Sequence, residues 1–94
     1  MINREIYDIL VGLGVTPQLK GFTYLCDAID IYYPGCNVME EIYKVVADQH
    51  KVTRKSVEKG IWYAKQRTKF NGKTTAELLA YIQMELGVYT DKKL

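Results

Sequence analysis

Apolar residues along this chain recur at spacings of three and four, while runs that alternate every second residue are scarce. The pattern predicts an all-α fold, a compact bundle of about five helices over 3–13, 18–33, 38–49, 53–69 and 74–86. The first stripe is Ile6, Ile9, Leu10 and Leu13. The second is Phe22, Leu25, Cys26 and Ile29, and the third is Met39, Ile42, Val45 and Val46. Val57, Ile61, Ala64 and Thr68 make the inner side of the fourth helix. Leu78, Leu79, Ile82 and Leu86 make that of the fifth.

Punctuation between the stripes agrees with these bounds. Asn3 is placed to cap the first helix and Gly14 to end it in a left-handed turn. Pro17 opens the next turn, with the second helix starting there or at Lys20, and Pro34-Gly35 closes it after Tyr33. Asn37 with Glu40, and Thr74 with Glu77, have the spacing of a capping box. Thr53 is placed to cap the fourth helix, Asn71-Gly72 breaks the chain after it, and Gly87 stops the last. The tail from Val88 to Leu94 is expected to fray.

Ninety-four residues suffice for one domain with a single modest core, and 48% hydrophobic with 26% charged residues is the composition of a globular chain. Eight tyrosines suit the margins of a small core and contact surfaces. No apolar run approaches the ~20 residues of a membrane span, and the amino terminus lacks a signal-peptide layout. A cytoplasmic protein with no membrane partner is expected, its cysteines, Cys26 and Cys36, being two reduced thiols.

Charge changes the picture most. From Lys44 to Lys73 the chain holds nine Lys/Arg against two acids, a local balance of +7, whereas the other residues hold four bases against nine acids, a balance of −5. The basic block covers two helices joined by a tight turn, His50-Lys51-Val52. Ala47, Val52 and Val57 fit the three roles a helix-turn-helix needs: a small residue at the crossing, a plug in the turn, and an apolar residue early in the second helix. Lys51 stands where such a turn often has Gly.

With Val57, Ile61 and Ala64 turned inward at about 100° per residue, Lys55, Lys59, Trp62, Gln66 and Lys69 point outward. Glu58 and Lys65 flank them on one side, Ser56 and Tyr63 on the other. A positive outer face on such a hairpin is suited to duplex DNA, with the helix over Thr53–Lys69 in the major groove. Lys55 and Lys59 can donate to guanine or phosphate, and Gln66 to a base or phosphate. Glu58 can accept from a cytosine amino group, or hold Lys55 and Lys65. Thr53, Arg54 and Ser56 lie at the helix amino terminus, where a phosphate is favoured, and Lys51, Lys65, Arg67, Lys69 and Lys73 extend the track. Trp62 is expected to be exposed, against DNA, a partner or the carboxy-terminal segment.

Catalysis finds little support. The single histidine, His50, sits at the hairpin corner with no nucleophile set around it, suited to capping or a phosphate contact. No Gly-rich phosphate loop or metal-ligand spacing occurs, so no cofactor or metal is expected. Asp27 and Asp30 read as a solvated face.

The stretch Gly14-Val15-Thr16-Pro17-Gln18-Leu19-Lys20-Gly21-Phe22-Thr23-Tyr24-Leu25-Cys26-Asp27-Ala28-Ile29 resembles the opening of the DNA-binding effector domain of the sporulation master response regulator of endospore-forming bacteria. The likeness resumes at Ile42-Tyr43, Val46-Ala47 and Thr53. It continues through Ser56-Val57-Glu58-Lys59-Gly60-Ile61, which is similar to the family's Val-Glu-Arg-Ala-Ile recognition-helix motif. The resemblance spans roughly Ile6 to Gln66. It implies an all-helical fold with a helix-turn-helix, binding to duplex DNA upstream of promoters, and a place at the nucleoid.

Glu58 and Lys59 match the family's base- and backbone-contacting Glu-Arg pair. Ser56 and Trp62 depart from it, replacing a basic residue and an Arg, so a different target sequence is expected. Lys69 to Lys73 is much shorter than the family's corresponding segment, so its regions for dimerising on DNA and touching RNA polymerase are expected to be missing. Met1 stands almost at the first helix, from which a chain without a receiver domain is expected. RNA polymerase, a full-length sporulation regulator, and a second copy on DNA are the further partners the resemblance suggests. The competing function is a protein-interaction module, or an antagonist of a full-length regulator, that keeps the fold with little DNA affinity.

Overall fold

The computed structural model describes residues 4–32 and 39–87. Over these, five helices follow in order: α1 (Arg4–Leu13), α2 (Lys20–Ile31), α3 (Met39–His50), α4 (Arg54–Gln66) and α5 (Thr75–Glu85), with no strand among the described residues. The expected caps at Asn3 and Asn37, the Pro34-Gly35 stop, the Cys36 turn and the fraying tail lie outside the described residues.

α2 is the central element and packs against each of the other four helices. Seven of its twelve residues are buried, among them Phe22, Leu25, Ala28 and Ile29. Leu10, Val46, Val57, Ile61, Leu78, Leu79 and Ile82 close the core around them with no exposed surface. Gln83 of α5 enters this core because its amide donates to the carbonyls of Ile29 (3.1 Å) and Tyr32 (2.7 Å) at the end of α2.

α1 ends as expected. Gly14 has φ +105°, its N–H donates to Val11, and the Val15 N–H reaches back to Leu10, a Schellman closure that a side chain would strain. The same closure ends α3. Lys51 takes φ +57°, its N–H donates to Asp48, and the Val52 N–H donates to Ala47, so the turn keeps glycine-like geometry with a lysine in place. The capping box at Thr74 and Glu77 is present with both of its hydrogen bonds.

Three expectations need correction. The fourth helix stops at Gln66 and not Lys69. The Arg67 N–H turns to Ala64 and Lys65, while the Thr68 hydroxyl donates to Lys65 and accepts from the Phe70 N–H, which diverts the chain. The second takes the later of its two expected starts, Lys20 with Leu19 as its cap, but its end moves to Ile31, where Tyr32 turns extended. Val45 is 41% exposed, because α3 buries Ile42, Val46, Tyr43 and Ala47 and its inner face is therefore centred away from Val45.

Candidate nucleic-acid interface

α4 starts on Thr53, an N-cap whose hydroxyl accepts from the Ser56 N–H at 3.1 Å and lies 2.9 Å from the Ser56 hydroxyl. Its inner side is Val57, Ile61 and Ala64, all fully buried. The outer side carries exposed Lys55, Ser56, Glu58, Lys59, Trp62 and Tyr63, with Gln66 half-buried and its carbonyl accepting from the Asn71 amide. Ala47 and Val57 lie in the core as a helix-turn-helix requires, while Val52 is 38% exposed and lines a hollow instead of filling the turn.

The charges are arranged differently from a plain positive stripe. Arg54 is engaged on both sides: its Nη1 donates to Glu58 Oε1 (2.9 Å) and to Glu40 Oε2 (3.1 Å). Glu58 is thus held by Arg54, not by Lys55 or Lys65, and the start of α4 carries two carboxylates to one guanidinium. A carboxylate has spare lone pairs, so Glu58 keeps acceptor capacity toward solvent.

Lys65 is not part of the outer track. It is only 8% exposed, and its Nζ donates to the Lys73 carbonyl, tying the end of α4 to the turn before α5. Lys69 lies beyond the helix, with Nζ 4.3 Å from the Tyr81 ring centroid and 5.9 Å from that of Phe70. The exposed cations of the hairpin are Lys44 on α3, Lys51 in the turn, and Lys55 and Lys59 on α4, with exposed Arg67 at the end of α4.

The fold adds one cation that the sequence reading left out. Gly21 and Gly60 let the start of α2 lie directly on α4, so Lys20 reaches a hollow of about 380 Å³ shared with Tyr24, Val52, Ser56, Lys59 and Tyr63. Two glycines inside helical stripes were the available signal, since a close helix crossing is one reason to tolerate their cost. A second hollow of about 420 Å³ opens on the outer face of α4 between Lys55, Glu58, Lys59, Trp62 and Tyr63.

His50 and Asp27 also differ from expectation. The His50 Nε2 lies 2.5 Å from Asp27 Oδ2, both side chains part-buried, and the ring stands edge-on to Tyr24 at 5.0 Å. The corner of the hairpin is therefore braced against α2, and Asp27 is part of that brace. Burial, with help from Asp27 and Asp30, pushes the Cys26 thiol up to about 12, far from a reactive thiolate. Among the described residues no group of three or more His, Cys, Asp or Glu could hold a metal, and no helix is long and apolar enough to cross a membrane.

Residues 6–92 match the family model described as the C-terminal part of the sporulation initiation factor Spo0A. No curated protein and no solved structure matches the chain. The match covers nearly the whole chain, which therefore belongs to the Spo0A C-terminal family, the DNA-binding domain of a sporulation transcription factor.

Proposed function

We propose that this member of the Spo0A C-terminal family is a sequence-specific regulator that places α4 in the major groove of duplex DNA, with α3 and α4 as its helix-turn-helix. The observation that carries the reading is the outer face of α4, where Lys55, Lys59 and Trp62 are exposed beside Lys51 of the turn. Lys20, Lys51 and Lys55 neutralise phosphates along the groove edge, and Thr53 and Ser56 meet a phosphate at the helix amino terminus. Lys59 and Glu58 read base edges, and Gln66 lies two turns further along. Lys69, turned over Tyr81, has a lesser part. A cytoplasmic place at the nucleoid follows from the same reading.

A second reading, an interaction module or antagonist of a full-length sporulation regulator, draws on the exposed aromatic pair, Trp62 at 49% and Tyr63 at 54%. Mobility shift of duplex DNA at rising salt separates the two. DNA binding through several phosphates weakens steeply between low and moderate salt, whereas no shift at low salt leaves only the interaction module. Lys59→Ala is expected to weaken discrimination between selected and random duplexes by about 1–3 kcal/mol. Equal loss on both would make Lys59 a phosphate contact.

A further inference from the structure

Trp62 and Tyr63 are neighbours in sequence, yet both rings lie outside the core. Their centroids are 5.1 Å apart at an interplanar angle of 76°, so the edge of one ring fixes the other. The indole forms an apolar wall of the hollow on the outer face of α4, and the rim holds Lys55, Lys59 and the carboxylate of Glu58. Lys59 Nζ stands 6.0 Å from the Tyr63 ring centroid, which keeps the ammonium close to the aromatic pair.

A wall of this kind with a donor and an acceptor beside it has a specific complement. Thymine presents a C5-methyl group in the major groove next to its O4 acceptor, and the adenine paired with it presents an N6 donor. We propose that this hollow reads a T·A pair: the Trp62 indole packs on the thymine methyl, Lys59 donates to O4, and Glu58, steadied by Arg54, accepts from the adenine amino group. The charge of the rim favours this occupant, since two ammonium groups attract the phosphates that flank every base pair. Guanine in thymine's place would offer no methyl to the indole, and cytosine would turn an amino donor toward Lys59.

The inference rests on the DNA-binding reading, and its test separates the two. Duplexes that the protein selects from a random pool are resynthesised with uracil replacing one thymine at a time, which removes only the methyl. At one position per site the change is expected to weaken binding about four-fold, the worth of one buried methyl-sized group. In Trp62→Ala, checked for helicity by circular dichroism, that difference disappears. Trp62→Leu, which keeps an apolar wall, retains part of it. Uracil tolerated at every position, or a loss of the same size in Trp62→Ala, overturns the thymine assignment while DNA binding stands. Failure to select any duplex overturns both.

Discussion

Gly21 of α2 and Gly60 of α4 lie in backbone contact: a Cβ on Gly21 would run into the Gly60 carbonyl and stand 2.8 Å from the Ala64 Cβ, while one on Gly60 would meet the Tyr24 ring at 2.9 Å. Alanine inside a helix normally gains ~0.5–1 kcal/mol over glycine. Here the sign reverses, since neither a backbone carbonyl nor a ring only 5% exposed can step aside. Gly21→Ala is expected to cost about 2–3 kcal/mol, a drop in Tm of roughly 10–20 °C by circular dichroism. An unchanged Tm would mean that the helices part without loss.

The second relationship is that between His50 and Asp27, which pins the end of α3 to α2 beside the Lys51 turn. Asp27→Ala and His50→Ala are each expected to lower stability by ~1 kcal/mol, with a coupling of similar size in the double mutant. Urea midpoints of the four proteins at one pH measure it. Additive losses would show that the two side chains act apart.

Much of the fold was legible because helical periodicity and capping residues are local signals. Gly14, Thr53, Thr74 and Gly87 mark their ends from chemistry within one turn of chain. What escaped depends on which helices touch. The Asp27–His50 pair spans 23 residues, and nothing in either neighbourhood points to the other. Lys65 lies at the edge of the outer face by angle alone, and only the nearby Lys73 carbonyl explains why it turns inward. The outer face of α4 was readable up to Trp62, but its partner Lys20 becomes visible only once Gly21 is seen against Gly60. The bond from Arg54 to Glu40 is hidden for the same reason, since Glu40 lies on another helix.

Alkaline pH should loosen the fold through two buried acids. The Cys26 thiol is pushed up from 9.0 to about 12 by burial first and by Asp27 and Asp30 next, and burial also raises Tyr43 above its ordinary 10.0. Above pH 9 the unfolded chain releases the thiol proton while the folded chain retains it, so the folded state binds more protons and stability falls as pH rises. Each group contributes a slope of up to ~1.4 kcal/mol per pH unit within its window. Urea midpoints from pH 8 to 11 should decline, and Cys26→Ala should flatten the decline between pH 9 and 10. An identical slope in the variant would remove Cys26 from the account.

Two lysines separate electrostatic from structural cations. Lys20 is exposed at the hollow beside Lys59, whereas Lys65 is buried with its ammonium on the Lys73 carbonyl. On the DNA-binding reading, Lys20→Ala should lower affinity for random and selected duplexes alike. It should also reduce the slope of log K against log salt by ~1, the signature of one lost phosphate contact. Lys65→Ala should leave that slope unchanged and cost ~1 kcal/mol of folding stability through the lost hydrogen bond. Mobility shift at several salt concentrations, paired with urea titration, reads both effects. A slope that shifts in Lys65→Ala and not in Lys20→Ala would reverse the assignment and move the DNA track to the other flank of α4.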